Sequence, residues 1–146
     1  MKRILAAMLA MVLAGAAREA RANEPLAYMV IVNAAVKTPS VSKADVRDLF
    51  AKKLTRWPDD GAVTPFDLTP NAPLRAAFSA AVYNKSPQAV LSEWRQRIFT
   101  GQGTPPREVK DEASMIAAVA ATAGGLGYVR VGTALPPQVR ILTVGN

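Results

Sequence analysis

The sequence predicts an α/β fold, a mixed sheet flanked by helices, and three observations carry that reading. Leu26 to Val32 is a nearly unbroken apolar run with β-branched residues, the pattern of a strand covered on both faces. Further short runs of this kind recur at 63–68, 126–131 and 139–144. Between the second and third of these runs lie stretches whose apolar residues return at i, i+3 and i+4, the spacing of one helical face. Strands separated by helices pack as helical layers on a sheet.

Taken in order, the strand at 26–32 leads into a loop at Pro39-Ser40. Ser42 then has the character of an N-cap, with Asp45 three residues on as its capping-box partner. Val46, Leu49 and Phe50 make the buried face of that helix, and Arg47 and Asp48 face water. Pro58-Asp-Asp-Gly61 is a turn. Val63 to Leu68 is the second strand, and Pro65 within it implies an edge position or partial pairing. Asn71 is expected to cap the next helix, with Pro73 in its first turn and a stripe of Leu74, Ala77, Phe78, Ala81 and Val82. Ser86-Pro87 opens another helix, with Val90, Leu91, Trp94 and Ile98 on one face.

Thr100 to Val109 reads as a Gly/Pro loop. Asp111 caps a helix of small residues, Glu112 to Thr122, with Met115, Ile116 and Val119 inward, and Gly124-Gly125 is expected to end it in left-handed backbone. Strands at 126–131 and 139–144 close the chain. The order is strand, helix, strand, three helices, two strands, with no internal repeat and no linker long enough to divide it.

The first residues point to export. Met1-Lys-Arg3 is followed by an apolar or small run from Ile4 to Ala17, about 14 residues, short of the roughly 20 that span a bilayer. Ala20-Arg-Ala22 is an A-x-A cleavage site, so residues 1–22 read as a signal peptide and 23–146 as one domain. No stable membrane span is expected after cleavage. Removing Lys2, Arg3, Arg18 and Arg21 with Glu19 lowers the formal charge from +7 to +4. No Lys/Arg block interleaved with aromatics is present, which argues against nucleic-acid binding. The sequence has no Cys and no His, which excludes disulfides, thiol nucleophiles, Ser-His-Asp triads and Cys/His zinc sites. No cofactor and no metal is expected, and the chain does not read as an enzyme.

Gly124-Gly-Leu-Gly127 follows a helix and precedes a strand, the reverse of a dinucleotide loop. Asp59-Asp60 is a solvated turn pair. Trp94 belongs to an apolar stripe, whereas Trp57, near a turn, either covers the core edge or offers a stacking face. The strongest physical site is Asp67-Leu-Thr-Pro-Asn-Ala-Pro-Leu-Arg75, a strand–loop–helix passage. A helix start presents unpaired N–H donors and a positive dipole end, which hold anions. Thr69 and Asn71 add side-chain donors there, Arg75 one turn in offers a two-pronged fork, and Asp67 at the strand end is a further polar candidate. An ordinary capped helix with a surface arginine is the alternative reading of the same residues.

Five stretches in order resemble one lobe of the periplasmic phosphate-binding proteins that serve ABC transporters. They are Tyr28-Met-Val-Ile-Val-Asn33, Ser42 to Phe50, Arg56-Trp-Pro-Asp-Asp-Gly61, Trp94 to Gly101 and Gly124 to Val129. The resemblance implies a single lobe of the type II periplasmic-binding-protein-like fold and a binding module located in the periplasm. It implies phosphate or another small anion as ligand, at Thr69, Asn71, Arg75 and Asp67, and an ABC transporter permease or other membrane complex as partner. Where the family's ligand loop resembles Arg-x-Asp-x-Ser-Gly-Thr, this chain has Thr69-Pro-Asn-Ala-Pro-Leu-Arg75, which keeps the helix start and a displaced arginine. A ligand-free interaction or sensory module on the same lobe is the second reading.

Overall fold

The computed structural model describes residues 26–59 and 61–146, so the signal-peptide expectation for 1–22 and the residue Asp60 lie outside the described residues. The chain forms strand β1 (Tyr28–Asn33), strand β2 (Ser40–Ser42), helix α1 (Lys43–Phe50), strand β3 (Thr64–Leu68), helix α2 (Pro73–Tyr83) and helix α3 (Pro87–Phe99). Strand β4 (Arg107–Val109), helix α4 (Glu112–Ala121) and strands β5 (Gly125–Arg130), β6 (Val139–Ile141) and β7 (Thr143–Gly145) follow. Strands β4-β3-β5-β1-β6 lie side by side in one five-stranded sheet, and β2 pairs with β7 in a separate parallel ribbon. The sheet is mixed, since β3 runs parallel to β4 and β5, and β1 runs antiparallel to β5 and β6.

Helices cover both faces, and the alternation of β5 shows how. Gly127 lies under α4, where a Cβ would meet the Met115 sulfur at 2.5 Å. The missing side chain lets Met115 and Val119, both fully buried, settle on the sheet. Tyr128 points to the other face, where its ring stacks on Phe78 of α2 with centroids 3.8 Å apart and planes 1° apart. Phe50 of α1 and Tyr28 of β1 meet the Phe78 ring edge-on at 4.8 and 5.1 Å. Aromatic pairs of this kind add about 0.5–1.5 kcal/mol each beyond their area burial.

The helix starts follow local chemistry. Ser42 and Asp45 form the reciprocal capping box, and Ser86 and Asp111 accept from the N–H three residues on. The start of α2 departs from expectation. Its N-cap is Ala72, not Asn71, and no side chain caps it, because Pro73 at the first helical position shifts the boundary one residue on. The end of α4 also differs. The backbone of Gly124 and Gly125 is not left-handed, and Thr122 at the cap is extended. The Asn33 amide of β1 instead donates to the carbonyls of Val119 and Ala120 at 2.9 and 3.0 Å. Gly124 is required by close approach, since a Cβ there would sit 1.8 Å from the Ala62 carbonyl oxygen.

Four strands, β2, β4, β6 and β7, differ from expectation. Strand β2 lies in the expected Pro39-Ser40 loop, β4 lies in the expected Gly/Pro loop, and Leu142 divides the expected 139–144 strand into β6 and β7. Strand β3 is interior, and its pairing is partial, as Pro65 allows: Thr64 and Pro65 register with β5, and Phe66 to Leu68 with β4. In α2 the stripe is Leu74, Phe78 and Val82, joined by buried Arg75 and Ser79, while Ala81 is exposed. In α3, Val90 and Trp94 are buried as expected, but Ile98 is half exposed.

Candidate functional site

β3, β4 and β5 run parallel, so their carboxyl ends lie at one end of the sheet, where open α/β sheets hold ligands. A depression of about 320 Å³ opens there. Thr69, Asn71, Lys110, Arg130, Asp111 and Glu112 contribute to its walls. Each is placed by its element. Thr69 and Asn71 follow β3, and their loop is pinned by Thr69 N–H to the Val109 carbonyl at 3.2 Å and Ala72 N–H to the Thr69 carbonyl at 3.0 Å. Lys110 follows β4, and Arg130 ends β5.

The α2 start faces this depression through Ala72, Pro73 and Leu74. The first helical bond runs from Ala76 N–H to the Ala72 carbonyl, so the N–H groups of Leu74 and Arg75 precede it. No side chain caps these donors or the dipole end. The α4 start is different: Asp111 accepts the Ser114 N–H at 2.8 Å, and its carboxyl is held below the usual range first by the Ser114 side chain and then by that bond. The Glu112 carboxylate accepts the Arg130 N–H at 2.6 Å. The rim thus carries two cations, Lys110 and Arg130, against two carboxylates, Asp111 and Glu112.

Arg75 is not aimed into the depression. Its guanidinium lies beneath the loop with 4 % of the side chain exposed, and Asp67 beside it is 7 % exposed. Arg75 Nη1 donates to the Leu68 carbonyl at 2.7 Å and to Glu108 Oε1 at 3.1 Å, while Nη2 lies 3.3 Å from Asp67 Oδ2. Asp67 Oδ1 accepts from the Tyr128 hydroxyl at 2.5 Å and from its neighbour Leu68 N–H at 2.9 Å. The expected fork is therefore occupied, and the carboxylates on it are Asp67 and Glu108. Burial pushes the Asp67 carboxyl above the usual range, with Arg75 and the Tyr128 hydroxyl pulling the other way. Burial and the adjacent Asp67 carboxylate push the Tyr128 hydroxyl far up.

Of the four expected residues, Thr69 and Asn71 line the depression, and Arg75 and Asp67 form a buried pair below it. Lys110, Arg130, Glu108 and Tyr128 escaped the sequence reading. Lys110 follows one strand and Arg130 ends another, positions that signal nothing until the strands are known. Trp57 is 3 % exposed, with its ring N–H on the Gly124 carbonyl at 3.3 Å, so it closes the core edge. Asp59 accepts the Lys37 N–H at 3.1 Å. Among the described residues no cluster of three acidic or other metal-ligating side chains is placed to hold a cation, and no helix is long and apolar enough to cross a membrane.

No protein-family model matches the sequence, and no curated protein does. Solved structures do match. An ABC-type phosphate transport receptor from Vibrio cholerae superposes with a TM-score of 0.63 at 13% identity, over 80% of this chain and 45% of the receptor. A protein from Clostridium perfringens assigned as a phosphate ABC transporter substrate-binding protein, solved with bound phosphate, gives 0.63 at 13% identity over 80% and 44%. PstS from Borrelia burgdorferi gives 0.56 at 13% identity over 83% and 49%. The chain has the fold of one lobe of a periplasmic phosphate-binding protein. It spans a little under half the length of the receptors it matches. These neighbours are binding proteins, and the five-stranded mixed sheet with its two helical layers is the architecture shared with them.

Proposed function

We propose that the chain is an exported, nonenzymatic binding module for phosphate or another small oxyanion, linked to ABC-type phosphate transport. Residues 1–22 are its signal peptide and 23–146 its binding domain. The anion sits at the α2 start, held by the Thr69 hydroxyl, the Asn71 amide and the Leu74 N–H, with Lys110 and Arg130 at the rim. Arg75 and Asp67 support the site from below by fixing the Leu68 carbonyl and the loop that follows it. The observation that carries this reading is the uncapped N-terminus of α2 opening into a depression, in a fold shared with phosphate receptors. A partner, such as a permease or a second lobe, supplies the opposite wall.

A second reading, a ligand-free docking or sensory lobe, is favoured by two observations. The Arg75 fork is filled by Asp67, and the rim cations face an equal number of carboxylates. Calorimetry of the purified chain with phosphate, using sulfate as control and Asn71→Ala alongside, separates the two. Saturable phosphate heat that is lost in Asn71→Ala supports the anion module. No heat at millimolar phosphate moves the assignment to the docking lobe.

A further inference from the structure

At the other end of α2, beside the C-terminal ends of α1 and α2, lies a second hollow of about 410 Å³. The 11 residues of α2 put it roughly 16 Å of helix away from the Thr69–Asn71 face. Its size falls within the range of about 300–1,000 Å³ typical of small-ligand pockets. Arg47, Lys53, Lys85 and Arg97 line it against one carboxylate, Glu93, and Trp94 forms an apolar wall.

The hollow is built from α3. Trp94 is 5 % exposed, and the Arg97 guanidinium carbon lies 4.0 Å from the centre of its ring. Arg97 Nη1 donates to the Ala51 carbonyl at the end of α1 at 2.7 Å. The guanidinium is thus fixed between a ring and a helix end, and among the described residues its other donors have no partner. Arg47 pairs with Asp48 at 3.2 Å, and Lys85 pairs with Glu93. The Lys53 ammonium has no ion pair or side-chain hydrogen bond among the described residues. Lys52 next to it is held below the ordinary lysine value, first by burial and then by repulsion from Arg97. Cations at helix C-termini offset the dipole, which accounts for the Arg97 bond to Ala51. It does not account for an unpartnered Lys53, nor for an excess of positive charge gathered in a concave wall, which focuses the field on an anion.

We propose that this hollow is a second anion site, independent of the Thr69–Asn71 face, for a small, multiply charged oxyanion of the diphosphate class. Two of the four cations, Lys53 and Arg97, have no carboxylate partner among the described residues, and a singly charged ion would match only one of them. A diphosphate offers phosphoryl oxygens to the open side of the Arg97 fork and to Lys53 together, and forked donation to such oxygens is strong. The Tyr83 side chain is also part of the wall.

The test is a titration of the full chain with pyrophosphate, followed by nitrogen–proton NMR. The expected result is saturable movement of the Trp94 indole signal and of the Lys53 and Arg97 amides. In the Arg47→Gln/Lys53→Gln variant the affinity falls about tenfold. Both side chains are on the surface, and an unchanged melting curve shows that the variant is folded. Signals that move only at Thr69 to Leu74, movement that the double variant leaves undiminished, or equal movement with sodium chloride at matched ionic strength would each overturn the proposal.

Discussion

Replacing Arg75 with Met tests the buried pair directly. Methionine keeps much of the volume, so the loss falls on electrostatics rather than on a cavity. Three things lose their partner: the Asp67 carboxylate at 3.3 Å, the Leu68 carbonyl at 2.7 Å and Glu108 at 3.1 Å. Glu108 is 42 % exposed and regains water, so it contributes little. Asp67 is nearly enclosed, and stripping one partner from a buried pair costs about 3–5 kcal/mol. For a domain of this size, that lowers Tm by roughly 10–25 °C.

The pH dependence sharpens the test. Burial raises the Asp67 carboxyl and Arg75 opposes it, so removing Arg75 raises its folded pKa further. A group whose folded pKa exceeds its unfolded value adds stability at low pH, and that stability is lost as pH rises through the folded value. The gap between the native chain and Arg75→Met is therefore smallest near the unfolded carboxyl pKa of about 4 and widens towards neutral pH. Urea melts at mildly acidic and mildly alkaline pH measure it. Adding Asp67→Asn to Arg75→Met should recover a large part of the loss, because the buried charge is gone. A loss under about 1 kcal/mol, the value of an exposed pair, or a gap that is the same at both pH values refutes the reasoning. The same variant separates two roles for Arg75. An arginine facing a bound anion would leave Tm unchanged and abolish phosphate heat.

Other consequences follow from single distances. Gly124→Ala forces a Cβ against the Ala62 carbonyl at 1.8 Å and should cost at least about 2–3 kcal/mol in a thermal melt, whereas Gly101→Ala, strained in backbone but in open space, should cost about 1 kcal/mol. Ala72→Ser gives α2 the cap it lacks, so it should raise stability by about 0.5–1 kcal/mol and weaken phosphate binding in calorimetry, because the hydroxyl takes a donor the anion would use. Asp67→Ala leaves Arg75 Nη2 without its carboxylate while Nη1 stays on the Leu68 carbonyl and Glu108, and formate, an anion of carboxylate shape, should raise the Tm of this variant but not of the native chain.

Local chemistry made part of this fold legible. The Ser42–Asp45 box, the Ser86 and Asp111 caps and the Leu74–Phe78–Val82 stripe each depend on residues within a turn or two of one another. Strands β1 and β5 announce themselves through long apolar runs. Strands β2, β4 and β7 are three residues each and exist because of partners far along the chain; Ser40 to Ser42 pairs with Thr143 to Gly145. No local pattern specifies that. The end of α4 departs from its local pattern for the same reason, since Asn33, whose amide holds it, lies 86 residues from Val119. The site followed suit. Thr69 and Asn71 stand out in the sequence because a helix start is a local feature, but the placement of Arg75 depends on Asp67, Glu108 and Tyr128, which meet only when β3, β4 and β5 are side by side.

That division gives the two candidate anion sites opposite physical characters, and so a way to tell them apart. At the α2 start the arginine is neutralised internally, and the rim charges cancel in number. On the proposed reading, binding there would rest on neutral donors and a helix end, whose field falls off within a turn. Phosphate affinity at that face should therefore be modest and change little as salt is raised. At the Arg97 hollow the excess cations supply the attraction, and an exposed lysine and arginine are screened over a Debye length of about 10 Å at 0.1 M salt. Pyrophosphate binding there should weaken steeply over the same salt range. NMR titrations of the two anions at low and high ionic strength place both slopes on one sample. If phosphate at Asn71 proves as salt-sensitive as pyrophosphate at Lys53, the internal neutralisation of Arg75 by Asp67 is not what governs the first site.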